Sequence, residues 1–205
     1  MHNWRLEKQR EKYEEAGIKF DKTPEDEKRY VTFMLQRPHQ TRATGVSEWY
    51  TPPEIIGAAR QVMGSIMVDP ASCEEANKII KADTYYTKED DGLSKDWTGT
   101  VWMNPPYSQP LVSKFCDKFI ERKMIGAITQ GCVILNNATE TKFLQKMLVC
   151  CTAICLIKGR VKFLDAEGNI VNSSPLQGQI ILYFGPHRDK FAKVFNKFGV
   201  VFDAR

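Results

Sequence analysis

Asn104-Pro105-Pro106-Tyr107 is the segment of the chain with the clearest chemistry. It follows directly on Thr100–Met103, an apolar run that reads as a strand, and ligands of open α/β sheets bind outside the carboxyl ends of strands. Two consecutive prolines restrict φ and remove two amide donors, which leaves a stiff turn whose carbonyls can face a pocket without an N–H competing beside them. The Asn104 side-chain oxygen and the Pro105 carbonyl then supply two acceptors. A pair of acceptors suits the two hydrogens of a planar NH2 group, holding its nitrogen lone pair in line with an electrophilic methyl. Tyr107 adds an aromatic face for a base that has left its stack. Asn104, Pro105, Pro106 and Tyr107 are the expected catalytic residues, with Tyr107 also holding the substrate base.

Two further clusters lie upstream. Glu48-Trp49-Tyr50-Thr51-Pro52-Pro53-Glu54 precedes a helix expected to begin near Glu54. Taken alone, Thr51 as N-cap, Pro52 at the first helical position and Glu54 three residues on make a capping box. Asp69-Pro70-Ala71-Ser72 sits between an expected strand, Ser65–Val68, and an expected helix, Glu74–Lys81. A carboxylate there can bind an ammonium group or organise the loop around one. Only about thirty residues separate this loop from Asn104, so the middle of the sheet is compressed. Asp83, Glu89, Asp90 and Asp91 are the acids available there for hydroxyl or amino groups of a cofactor. Asp91 is favoured because it precedes Gly92-Leu93, as a carboxylate in a turn at a cleft would.

Downstream, Lys158-Gly159-Arg160-Val161-Lys162-Phe163 offers cations and one aromatic before a hairpin-like end. Lys158 and Arg160 suit phosphates, and Phe163 could help enclose a flipped base. Alternating Val161 and Phe163 are equally what an amphipathic strand needs. Ser173–Gly178 offers a loop, with nothing in it that names a base.

These residues need elements to position them. Beyond Glu48 the chain alternates short apolar runs with amphipathic stretches, the pattern of a sheet covered by helices, and the class is α/β. Strands are expected at Thr100–Met103, Gly131–Leu135, Ala153–Ile157, Val161–Leu164 and Gln179–Phe184. Helices are expected at Leu111–Arg122 and Thr139–Val149, with a polar turn at Asp165–Asn169. The end of the chain reads as antiparallel. Residues 1–47 are rich in Lys, Arg and Glu and read as a charged helical arm, with runs at Trp4–Ala16 and Glu25–Met34. Residues 48–205 read as the catalytic domain.

The tetrapeptide resembles the catalytic motif of amino-methyltransferases acting on adenine. Similar turns occur in enzymes that methylate adenine in RNA and glutamine in proteins. The order of the clusters, together with Tyr85-Tyr86-Thr87 and Asp91-Gly92-Leu93 before Trp97, resembles the small phage-type Dam family of DNA N-6-adenine methyltransferases over roughly Glu48 to Phe184. That resemblance implies a Rossmann-like, S-adenosylmethionine-dependent methyltransferase fold with a mostly parallel sheet and C-terminal antiparallel strands. It implies methyl transfer to N6 of adenine in double-stranded DNA after base flipping, with a place in DNA methylation and restriction-modification. It further implies that Trp49, Tyr50 and Thr51 line the cofactor cleft, with Asp69, Pro70, Ala71 and Asp91 completing the site. The usual glycine-rich cofactor loop is replaced here by Asp-Pro-Ala-Ser. The alternatives are an RNA adenine or protein glutamine methyltransferase, or a catalytically silent DNA-binding or anti-restriction protein of the same fold.

Composition bounds these expectations. The 205 residues suffice for one sizeable domain, and 42% hydrophobic with 26% charged residues is the balance of a folded globular protein. A net charge of +4 permits contact with a phosphate backbone without demanding it. No apolar run approaches the roughly 18 residues needed to cross a bilayer. Met1–Arg10 is charged and lacks the apolar stretch of a secretory signal. The expected location is therefore cytoplasmic, the host cytoplasm if phage-encoded, with reduced thiols at the six cysteines. Cysteine spacing and the scattered His2, His39 and His187 give no metal-site pattern, so no metal is expected. Oligomeric state is not legible.

Overall fold

The computed structural model describes residues 49–165, 167–171 and 177–204, all within the unit Val46–Arg205. The expected arm 1–47, with its two helical runs, and most of the Ser173–Gly178 loop lie outside the described residues.

The described chain runs α1 (Pro53–Met63), β1 (Val68–Asp69), α2 (Glu74–Ile80), β2 (Thr84–Tyr85), a short 3-10 turn (Gly92–Ser94), β3 (Gly99–Met103), α3 (Leu111–Met124), β4 (Ile128–Asn136), α4 (Lys142–Cys150), β5 (Ala153–Ile157), β6 (Gln179–Phe184), α5 (Arg188–Phe195) and β7 (Gly199–Asp203). The seven strands form one sheet in the order β2-β1-β3-β4-β6-β5-β7. The first four positions pair in parallel. Strand β6 then inserts antiparallel between β4 and β5, and β7 pairs antiparallel with β5 at the edge. This is the Rossmann-like arrangement that the resemblance implies, mostly parallel at its start and antiparallel at its C-terminal end. Only the two-residue β2 and the 3-10 turn separate β1 and α2 from β3, which is the compression that the short Asp69-to-Asn104 interval requires.

Helices cover both faces because strand side chains alternate. Trp102, Cys132, Ile134, Cys155, Ile181 and Tyr183 point into one core together with α1, α2 and α5. Val101, Met103, Val133, Leu135, Ile180 and Leu182 point into the other with α3 and α4. In α1 the residues Ile55, Ile56, Ala59, Val62 and Met63 are buried, the spacing of one helical face. Strand β6 is buried at all six positions, as a strand with neighbours on both edges and helices on both faces must be.

Most expected elements form, with ends shifted by a few residues. Three readings are corrected. Ser65–Val68 contributes only Val68 to β1, although Met67 is still tied by its amide to Thr100 O (2.9 Å). Val161–Leu164 is not a strand: Val161 and Phe163 are buried and Lys162 exposed as alternation predicts, but only Leu164 makes bridges, to Tyr50 and Ile170. Thr51 is not an N-cap, because α1 starts after Pro52 with no side-chain cap. Helix α5 and strand β7 were not expected, although Phe191, Val194 and Phe195 carry the helical spacing.

No described helix is long and apolar enough to cross a membrane, and none of the six cysteines is paired in a disulfide.

Candidate active site

The three clusters separated in sequence converge at the carboxyl ends of β1 and β3. Asn104 leaves β3 with its side chain on the α1 face, continuing the alternation of Trp102. Its Nδ2 donates to the Trp49 carbonyl (3.3 Å) and to Thr51 Oγ1 (3.4 Å). The Trp49 carbonyl can only accept, which sets the orientation of the amide and turns Oδ1 away from the hub. The Tyr107 hydroxyl donates to that Oδ1 (3.0 Å) and lies 3.5 Å from Ile134 O at the end of β4. Burial raises the Tyr107 hydroxyl well above the ordinary phenol range, so it is a proton donor at any physiological pH. Its ring is partly exposed, as is Asn104, while Pro105 is buried and Pro106 exposed. A carbonyl oxygen has two lone pairs, so Asn104 Oδ1 keeps one acceptor site beside the Tyr107 bond.

The Trp49-Tyr50-Thr51 segment is the hub. Thr51 is 2% exposed, and its hydroxyl is taken by Asn104, which is why the capping role fails. Tyr50 is buried, and its hydroxyl accepts from the Cys73 thiol (3.4 Å) at the start of α2. That contact joins the hub to the Asp69 loop. Backbone hydrogen bonds in both directions, each 2.9 Å, pair Tyr50 with Leu164. Of the three hub residues, Trp49 alone has a partly exposed side chain.

Asp69 ends β1 and is 1% exposed. Its Oδ1 accepts from the Ala71 amide (3.2 Å), which folds the Asp-Pro-Ala-Ser turn in place of glycines. None of the described ion pairs involves Asp69. Burial consequently pushes its carboxyl up to about 7, only partly offset by the Ala71 amide. A buried carboxylate with no cation beside it is costly to ionise, and a ligand carrying positive charge at this loop relieves that cost.

Gly92 packs directly on the loop. A Cβ at Gly92 would overlap the Pro70 carbonyl, so no other residue fits without moving one of the two segments. This close approach brings Asp91 to the Asp69 loop; Asp91 is exposed, has φ +51, and makes no side-chain cap hydrogen bond. Asp90 differs, since its carboxylate accepts from the Thr87 amide and hydroxyl (both 2.9 Å), which lower its pKa. Exposed Asp83 and Glu89 show no such contact to the loop. Replacing Gly92 with Ala is expected to lower the melting temperature, because the Pro70 turn must shift; thermal melting checks it.

The basic segment is divided by exposure. Lys158, Arg160 and Lys162 are exposed, while Phe163 is 2% exposed and packs its ring on Trp49 at 5.6 Å. Phe163 is therefore a wall behind the hub, too buried to help enclose a flipped base with its own ring. Sequence reading missed Gln179 and Asn136. Gln179, 2% exposed, donates from Nε2 to Asn136 Oδ1 (3.2 Å) and to Gln177 O (2.7 Å), while its Oε1 accepts from the Val161 amide (3.3 Å). The signal was a polar residue at the end of each of two apolar strands, Ile128–Asn136 and Gln179–Phe184. Among the described residues, no three His, Cys, Asp or Glu side chains cluster as metal ligands.

No solved structure matches the chain. A DNA N-6-adenine-methyltransferase of Haemophilus phage HP1 (strain HP1c1) is 28% identical over 149 residues, covering 71% of this chain and 83% of that protein. The model of the family described as DNA N-6-adenine-methyltransferase (Dam) matches residues 39–200, a span that includes the hub, the Asp69 loop and the Asn104 turn, and the chain belongs to that family.

Proposed function

We propose that the chain methylates N6 of adenine in DNA with S-adenosylmethionine as methyl donor, acting on a base flipped out of the duplex. Family membership carries the methyl transfer to adenine N6. The observation that supports the residue assignments is the convergence of the Asn104 turn and the Asp69 loop on one hub, Trp49-Tyr50-Thr51. S-adenosylmethionine, when bound, supplies a methyl made electrophilic by its sulfonium and carries a second positive charge on its ammonium group. The unpaired, buried Asp69 fits such a cation. Asp69 organises the loop through the Ala71 amide and supplies negative charge beneath the ligand, Pro70 and Ala71 shape the loop, Asp91 offers an exposed carboxylate for hydroxyl groups, and Trp49 forms the open wall.

On the substrate side, Asn104 Oδ1 and the Pro105 carbonyl accept the two amino hydrogens of adenine. Holding both hydrogens aims the nitrogen lone pair away from the turn and stabilises positive charge as it develops on nitrogen. Tyr107 offers its partly exposed ring to the base, and its hydroxyl keeps the Asn104 amide from turning over. Exposed Lys158 and Arg160 are placed for phosphates.

Tyr107→Phe keeps the ring and loses the hydroxyl. It is expected to lower kcat about fivefold, the value of one hydrogen bond of about 1 kcal/mol, with KM for DNA unchanged; Tyr107→Ala raises KM as well. Steady-state kinetics on both variants check this. The substrate class is tested by offering labelled S-adenosylmethionine with DNA, RNA and protein separately. Label in DNA alone is expected; label in RNA or protein overturns the substrate assignment, and an intact fold that fails to bind S-adenosylmethionine makes the chain a silent DNA-binding member of the fold.

A further inference from the structure

Asn136 ends β4, the strand next to the one that carries Asn104. Alternation places it on the α1 face, because Cys132 and Ile134 of the same strand lie in that core whereas Val133 and Leu135 lie in the other. Asn104 occupies that same face. The Tyr107 hydroxyl reaches the carbonyl of Ile134, one pleat before Asn136, so Asn136 stands one step further out along the same mouth.

Its amide orientation follows from a chain of fixed groups. The Gln177 carbonyl can only accept and the Val161 amide can only donate, and together they set Nε2 and Oε1 of the buried Gln179. Gln179 Nε2 therefore points at Asn136, which must answer with Oδ1 (3.2 Å). That leaves Asn136 Nδ2, a two-proton donor, turned away from Gln179, with no hydrogen-bond partner among the described residues. Asn136 is partly exposed, so this donor is accessible from the mouth. Neither the catalytic turn nor the cofactor loop uses it.

The Asn104 turn offers a bound base acceptors and no free donor, because the Tyr107 hydroxyl is spent on Asn104 Oδ1. Asn104 Oδ1 and the Pro105 carbonyl accept hydrogens and hold an amino group, but any ring bearing an NH2 satisfies them. Beyond its amino group adenine presents a ring acceptor on each side of it, N1 and N7, whereas cytosine presents one, N3, with a C–H on the other side. A donor to N7 therefore separates the two bases, and a donor to either nitrogen separates adenine from NH2 groups with no acceptor beside them. We propose that Asn136 is a specificity-determining residue whose Nδ2 donates to a ring nitrogen beside the amino group of the flipped adenine, with Gln179 as the positioning residue that fixes its orientation. The inference rests on the function proposed above. It makes recognition of the base two-sided: acceptors from β3 take the amino hydrogens, and a donor from β4 takes a ring nitrogen. A site with buried polar groups committed to a partner rejects analogues that leave them unpaired.

Asn136→Asp is the discriminating variant, because the new carboxylate still accepts from Gln179 Nε2 while the donor is gone. Kinetics are measured on a random-sequence duplex pool containing adenine, and on the same pool with 7-deazaadenine or 1-deazaadenine in its place. The expected result is a loss of about tenfold or more in kcat/KM for Asn136→Asp on adenine DNA, with S-adenosylmethionine affinity unchanged. That loss disappears on one of the two analogues, 7-deazaadenine if the contact is to N7 and 1-deazaadenine if it is to N1. Wild-type kcat/KM for Asn136→Asp, or an equal loss on all three substrates, overturns the assignment. Failure of the wild-type protein to label adenine DNA at all would strike the proposed function, so the two failures are distinguishable.

Discussion

Asn104→Ala is expected to lower kcat on DNA by at least about a hundredfold and up to a thousandfold, the cost of removing one preorganised polar group from a reacting centre. S-adenosylmethionine affinity should stay within about threefold of wild type. The reason is geometric. In the proposed function Asn104 Oδ1 accepts from the amino group, while its Nδ2 is spent on the hub through Trp49 O and Thr51 Oγ1, so the side chain would serve substrate on one side and scaffold on the other. The loop that holds Asp69 is joined to the hub independently, through Cys73 and Tyr50, and survives the substitution. Single-turnover kinetics with separate cofactor titration measures both quantities. Parallel losses of kcat and cofactor affinity would contradict the division of labour.

Asp69→Asn should do the reverse, weakening S-adenosylmethionine binding tenfold to a hundredfold, about 1.4–2.8 kcal/mol, because the amide oxygen still accepts from Ala71 but the charge is gone. The raised carboxyl pKa of about 7 adds a pH signature with a definite sign. In the unfolded chain the group titrates in the ordinary carboxylate range, near 3.8. Below that pH it is protonated in both states and costs nothing. As pH rises from about 4 to 7 the unfolded state loses its proton first, and the folded protein without ligand loses stability until the folded group also ionises. The melting temperature of Asp69→Asn relative to wild type should therefore climb as pH rises through that window and level off above 7. A bound cation favours the ionised carboxylate, so wild-type cofactor affinity should increase from pH 5.5 to 7 and then flatten, and the variant should lack that dependence. Differential scanning calorimetry and pH-resolved titration test the pair; a variant with the wild-type pH profile would remove Asp69 from the cofactor site.

The Asn104 turn was legible as a strand end because its signal is local. Two prolines after an apolar run make a strand end and a rigid pair of acceptors with no help from distant residues, and Asn104 to Tyr107 indeed close β3. Thr51 shows the opposite case. Its neighbours Pro52 and Glu54 satisfy a helix-start pattern, but the hydroxyl is claimed by Asn104, 53 positions away, and no local spacing reports that. Val161–Leu164 shows that alternation reports burial and not pairing: the pattern of exposure is right, while the ladder is missing apart from the Leu164 bridges. Gln179 and Asn136 are 43 positions apart and become neighbours only because β6 inserts beside β4 rather than after β5. A sequence-order reading cannot foresee that insertion, and with it went the amide pair at the mouth of the site. The spacing of Phe191, Val194 and Phe195 in α5 and the apolar run of β7 were readable and were passed over.

Adenine N6 in DNA is the acceptor of the methyl group. Purified protein incubated with tritiated S-adenosylmethionine and unmethylated DNA, followed by enzymatic digestion and nucleoside chromatography, tests it most directly. Label co-eluting with N6-methyl-2′-deoxyadenosine, and absent with the Asn104→Ala variant, is the predicted result. Label on cytosine, or unlabelled DNA from protein that binds S-adenosylmethionine, would contradict it.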